Sequence, residues 1–144
     1  MQQLINGFRF LFDNQSAVLA LLGEHIRLVG ITLLIALAIA LPLGWLLSKV
    51  AWLRSPVLGV LGVIYTIPSL SLFVLLIPLL GLGARTAIVA LVAYAQVMLV
   101  RNVLVGLVGI DPAIIEAAKG MGMNGWQRFW RVELPLALPL ILAG

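Results

Sequence analysis

Two long runs without charge organise the chain. Between Arg27 and Lys49, the stretch Leu28 to Ser48 carries no charged side chain, and at about 1.5 Å of rise per residue it reaches about 30 Å, one hydrocarbon thickness. It predicts a membrane-spanning helix over 28–48. Pro42 and Gly44 fall inside it, which a bilayer tolerates because neighbouring helices re-satisfy freed carbonyls. Trp45 and Trp52 then mark one interface. The second run lies between Arg54 and Arg85 and predicts a span over 57–80. Gly81-Leu82-Gly83 reads as a turn, and a third helix is predicted over 84–110. Within it, Thr86 to Val100 covers only about 22 Å, so Arg101 should lie near a membrane face with its cation snorkelling to water.

Polar residues inside these runs are few, and they mark candidate places for solute to pass. Pro68 interrupts the second span within Tyr65-Thr66-Ile67-Pro68-Ser69-Leu70-Ser71. Non-helical backbone at mid-depth survives where it is buried in protein or lines a wet cavity, which makes Pro68, Ser69 and Ser71 candidates for a translocation path. A plain kinked helix, its hydroxyls bonded to its own carbonyls, is the competing reading. Gln96, one helical turn before Arg101 and deeper, is the fourth candidate. At the N-terminus, Leu4, Ile5, Phe8, Leu11 and Phe12 share one helical face opposite Gln2, Asn6, Arg9 and Asp13. That pattern predicts an interfacial segment over 1–23 rather than a signal peptide.

Composition narrows the class. The 144 residues are 63% apolar and 10% charged, and a mean hydropathy of +1.20 excludes both a water-soluble globule and a disordered chain. The absence of cysteine excludes disulfide scaffolds, cysteine–zinc clusters and thiol nucleophiles. A net charge of +4 comes from basic residues strung between apolar runs, so it reads as membrane flanking and not as a nucleic-acid footprint. Lys49, Arg54, Arg101, Lys119, Arg128 and Arg131 make six basic residues on one side, against Arg9, Arg27 and Arg85 on the other. The positive-inside rule then places the N-terminus outside and the segment after Ile110 in the cytoplasm.

That segment, 111–133, carries the densest chemistry. Asp111-Pro112 is a helix start, and Ile114, Ala117, Ala118 and Met121 form an apolar face ended by Gly120 and Gly122. Asn124 with Gln127 three residues later reads as a capping box for a second short helix. Trp126, Phe129 and Trp130 fall on one side of it, and Arg128 and Arg131 on another. Leu134-Pro135 then re-enters an apolar run over 134–144. Such a bracket, fixed to the membrane at both ends, can transmit force; a loop whose tryptophans and arginines simply anchor in headgroups is the alternative.

The spacing Glu116-Ala117-Ala118, Gly122, Val132-Glu133-Leu134-Pro135 resembles the EAA loop of binding-protein-dependent ABC importer permeases, with valine where isoleucine is usual. The resemblance implies an all-α, polytopic helical membrane protein of MetI-like permease fold, incomplete at its C-terminus, because Leu134 to Gly144 is eleven residues and a spanning helix needs about 17 to 25. It also implies a coupling role for Glu116, Ala117, Ala118, Gly122, Leu134 and Pro135 toward a cytoplasmic ABC ATPase subunit. Further partners implied are an extracytoplasmic substrate-binding protein, a second permease subunit and the lipid of a bacterial inner membrane. The chain holds no G-x-x-x-x-G-K-[ST] loop, so no cofactor is assigned to it and ATP belongs to the ATPase subunit. Tyr65-Thr66-Ile67-Pro68-Ser69-Leu70, Gly81-Leu82-Gly83, Val100-Arg101-Asn102 and the run from Asp111 to Met123 look like the osmoprotectant branch, which imports glycine betaine, choline, carnitine and related quaternary amines.

Two other classes remain in view. A permease for another small solute fits the same loop, and a helical scaffold that moves no solute fits the spans alone. A secondary transporter wants a coupling-ion site, yet the three spans contain no acidic residue. The single histidine, His25, sits beside Glu24 and Arg27 and suits a hydrogen-bonded interface better than a proton relay. Nothing in the sequence points to catalysis by this chain.

Overall fold

The computed structural model describes residues 14–143, and every regular element among them is helical. Helix α1 runs without interruption over Gln15–Lys49. Its 35 residues extend about 52 Å, well beyond a hydrocarbon core of about 30 Å. Residues 15–23, read from the sequence as the end of an interfacial segment over 1–23, thus continue into the first span as one helix. Charged residues such as Arg27 set where a bilayer can end, but Leu, Ala and Gln around them are good helix formers and give the helix no reason to stop. The apolar face formed by Leu4, Ile5, Phe8, Leu11 and Phe12 lies outside the described residues.

Helix α1 ends at Lys49, and the carbonyls of its last turn are claimed from beyond the end. The Arg54 guanidinium donates to Leu47 O at 2.8 Å and to Ser48 O at 2.9 Å, satisfying groups that a helix terminus leaves open. A 3₁₀ turn, Ala51–Leu53, leads into α2, Arg54–Thr66. Helix α3 follows over Ser69–Leu80. Pro68 lacks an N–H and forces Ile67 into extended backbone at φ −68°, ψ 125°. The two helices meet at 93°. Their 13 and 12 residues span about 20 and 18 Å, so neither half alone covers a hydrocarbon core. The second span, expected over 57–80, is a right-angled pair rather than a kinked rod.

Helix α4, Ala84–Val108, is the hub of the structure, packing against α1, α2 and α3 and against α7, Leu134–Leu142. Along α1, the small residues Ala36, Ala40 and Gly44 are buried in one stripe together with Leu47. They let the α4 side chains Val100, Val103 and Leu104 come in close, which is how helices associate where no water drives them together. Helices α1 and α4 are each long and apolar enough to cross a membrane.

Between α4 and α7 lies the bracket. Helix α5 covers Pro112–Gly120 and α6 covers Gly125–Arg128. A π-helical turn over Phe129–Glu133 joins α6 to α7. Phe129, Ala137 and Ile141 bury against Val103 and Leu107 of α4, so the bracket's second half is anchored in the protein core.

Candidate functional site

Local hydrogen bonds build the bracket. Asp111 Oδ1 accepts from the Ala113 N–H at 2.8 Å, and Pro112 occupies the first turn, where no N–H is needed. At the other end of α5, the Gly122 N–H donates to Lys119 O at 2.9 Å and the Met123 N–H to Ala118 O at 3.2 Å. This pair of bonds is a Schellman closure, and it places Gly122 at φ +76°, a conformation glycine adopts without cost. The Asn124 side chain accepts from the Gln127 N–H at 2.9 Å, while Gln127 Oε1 accepts from the Asn124 N–H at 3.1 Å. Both halves of the capping box are thus present.

This frame settles which side chains face outward. Glu116, Ala117 and Gly122 are exposed, as is Met121 at 69%. Ala118 is the exception: the family pattern led us to expect it with the others, but it is 1% exposed and turned inward. On an amphipathic helix, neighbours such as Ala117 and Ala118 cannot share every face. Gly122 has no atom within 4 Å of where a Cβ would stand, so the chain's own structure requires glycine there for its φ and not for space.

Leu134 and Pro135 belong to the bracket's root. Leu134 is half-buried and packs on the cluster of Val103, Leu107 and Phe129. Pro135 is exposed in the first turn of α7, where its missing N–H costs nothing. Beside them sits Glu133, which the sequence reading left without a role. Its carboxylate is 2% exposed and accepts from Lys49 Nζ at 3.0 Å on both oxygens and from Arg128 Nε at 2.7 Å. Burial by itself would raise this carboxyl. The hydrogen bonds from Arg128 and Lys49 and their positive charges outweigh it and hold Glu133 below the ordinary carboxylate range. The available signal was an acidic residue entering an apolar run, which needs a cation; its partner 84 residues away carried no mark of its own.

The candidate path residues do not converge. Ser69 lines a groove of about 350 Å³ with Phe73, Ala87, Ala90 and Tyr94, between α3 and α4. Pro68 and Ser71 are exposed near it in sequence. Gln96 is instead 6% exposed in the packing of α1 against α4, where its Nε2 donates to Ala36 O at 3.2 Å. Residues 94 and 96 are two apart on a helix, so their side chains diverge, and Tyr94 takes the groove. Tyr65 stands against Tyr94 with ring centroids 5.6 Å apart.

Comparison with known proteins agrees with this architecture. Residues 33–144 match the family described as "Binding-protein-dependent transport system inner membrane component". The chain is 38% identical over 135 residues to the glycine betaine/carnitine/choline transport system permease protein OpuCB of Bacillus subtilis, covering 94% of this chain and 62% of that protein. It is 39% identical over 140 residues to the osmoprotectant import permease protein OsmW of Salmonella typhimurium, covering 94% and 65%. It is also 37% identical over 136 residues to the choline transport system permease protein OpuBB of Bacillus subtilis, covering 94% and 63%. The chain thus spans a little under two thirds of the length of these relatives. An all-helical chain with apolar spans and an externally presented, doubly capped bracket, matched over most of its length, belongs to the family of binding-protein-dependent transport inner-membrane components.

Proposed function

We propose that this chain provides the transmembrane permease part of an ATP-driven importer of quaternary-ammonium osmoprotectants such as glycine betaine, choline or carnitine. The observation that carries the reading is the bracket. Helix α5 is fixed by the Asp111 side-chain cap at one end and by backbone bonds at the other, presents Glu116, Ala117, Met121 and the bend at Gly122 outward, and is rooted through Phe129 and Leu134 in the core beside α4. That geometry suits a rigid knob seated in the groove of a cytoplasmic ATPase subunit. Glu116 would pair there with a basic group. The names of the relatives support the solute class.

In this reading the ATPase subunit binds and hydrolyses ATP, and the permease forms no covalent intermediate. Closure of two ATPase subunits draws two brackets together and turns a cavity between two permease subunits from outward to inward facing. An extracytoplasmic binding protein delivers the solute and selects it. The N-terminus of α1 lies outside the inner membrane and α5 in the cytoplasm, as the basic residues require. Ser69, with Pro68 and Ser71, borders the solute path at the right-angled break, where non-helical backbone needs protein or water beside it.

The test is uptake by the full-length permease with its ATPase and binding protein, in cells under osmotic stress. Accumulation of labelled glycine betaine, choline or carnitine is the expected result. Uptake of an amino acid or sugar with no quaternary amine moved would leave an importer for another solute. Failure to associate with any ATPase would favour a scaffold.

A further inference from the structure

We infer that Glu133, clasped by Lys49 and Arg128, is the positioning residue that makes the coupling bracket and the first span move as one body. The inference rests on the function proposed above and adds the joint through which force leaves the bracket.

Four observations converge on that joint. The carboxylate is almost fully buried, at 2%, with both oxygens occupied at 2.7 to 3.0 Å. Its two cations come from opposite parties: Lys49 from the last turn of α1 and Arg128 from the last residue of α6. The α1 end is also stiffened, because Arg54 holds Leu47 O and Ser48 O. An aromatic contact runs alongside, with Trp45 of α1 edge-on to Phe129 at 5.8 Å.

The π turn sets the register of this joint. The Leu134 N–H donates to Phe129 O, five residues back, so one residue more than an α-turn is accommodated just where Phe129 and Glu133 both become buried. Such π insertions are rare and concentrate where function demands an unusual aim. A buried carboxylate with two cations is not an economical glue, since apolar residues of similar volume often hold as well. Its directional, multi-point geometry suits a link that must not slip. Because α5 packs against α6 and the π turn, a displacement of α5 passes to Arg128 and Glu133, and from there to Lys49.

The experiment uses the full-length permease with its ATPase and binding protein, reconstituted in lipid vesicles, and compares wild type with Glu133→Gln, Lys49→Met and Lys49→Arg. The first readout is solute moved per ATP hydrolysed. Glu133→Gln and Lys49→Met should retain ATPase association and hydrolysis but lower the ratio by about tenfold, whereas Lys49→Arg should keep it within about twofold. The second readout needs no solute: spin labels at Lys119 and Leu46, both exposed, measured with and without ATP. Wild type should hold one narrow distance in both states, and Glu133→Gln should broaden it or shift it on ATP binding. An unchanged ratio in both uncoupling variants, or a label distance that stays narrow in Glu133→Gln, overturns the inference. If wild type moves no quaternary amine while the label distances behave as stated, the proposed solute class fails and the joint stands.

Discussion

Gly44 lies so close to Val103 that a methyl group on Gly44 would stand 2.5 Å from Val103 Cγ1 and 3.4 Å from Val100 O. No carbon side chain fits there unless α1 and α4 separate. Gly44→Ala should therefore destabilise the permease by about 1–3 kcal/mol, the usual cost of overpacking. Val103→Gly, which removes both Cγ1 and the Cβ that would stand 2.7 Å away, should recover a good part of that loss in the double variant, because neighbours couple where distant sites add. Thermal melting of the four proteins in one detergent measures both effects, and strictly additive losses would refute the contact.

At Gly122 the constraint is conformational. With φ at +76°, a β-branched residue is strongly disfavoured, at a cost of about 1–2 kcal/mol or more. Gly122→Val should unwind the Schellman closure, reduce ATPase co-purification and lower uptake severalfold. Gly122→Asn, which tolerates the left-handed region, should keep most of both. Equal damage from the two substitutions would point to lost space at a partner surface and away from backbone strain.

Accessibility separates the candidate path residues. These 144 residues hold no cysteine, and in a full-length permease made free of cysteine elsewhere, single substitutions give clean probes. Ser69→Cys should react with small water-soluble thiol reagents, and Gln96→Cys, at a site 6% exposed, should stay inert. A reactive thiol at position 96 would return Gln96 to the path and contradict its place between α1 and α4.

The Glu133 carboxyl gives a pH signature outside the membrane-spanning segments. Its pKa is lowered in the folded protein because Arg128 and Lys49 outweigh the burial that would raise it. A group with a depressed folded pKa contributes stability that is present above its unfolded value and is lost as pH falls through the folded one. The melting temperatures of wild type and Glu133→Gln should therefore differ at neutral pH and converge below about pH 4, under the ordinary glutamate value. Since Lys49 is 38% exposed, solvent screening keeps its share of that gap small. A gap that stays constant down to pH 3 would show that the carboxylate charge contributes nothing.

What the sequence determined by itself was local. The spacing of charges located apolar stretches long enough to cross a bilayer, because burying a charge in hydrocarbon is costly wherever the chain goes. Asp111, Gly122, Asn124 and Gln127 announced their caps and turn, since each bond joins groups at most five residues apart and the backbone chemistry is complete within that window. The spacing from Glu116 to Pro135 carried the family resemblance for the same reason. The tertiary structure decided everything that depends on direction. Only packing fixed the 93° turn at a proline that could equally have kinked a rod, and only packing aimed Gln96 at Ala36 and Tyr94 at the groove. The stripe of Ala36, Ala40 and Gly44 acquired meaning once Val103 came against it. Glu133 found Lys49 across 84 residues, a pairing that exists because α4 and the π turn carry the bracket back beside the end of α1, and no pattern within either neighbourhood encodes it.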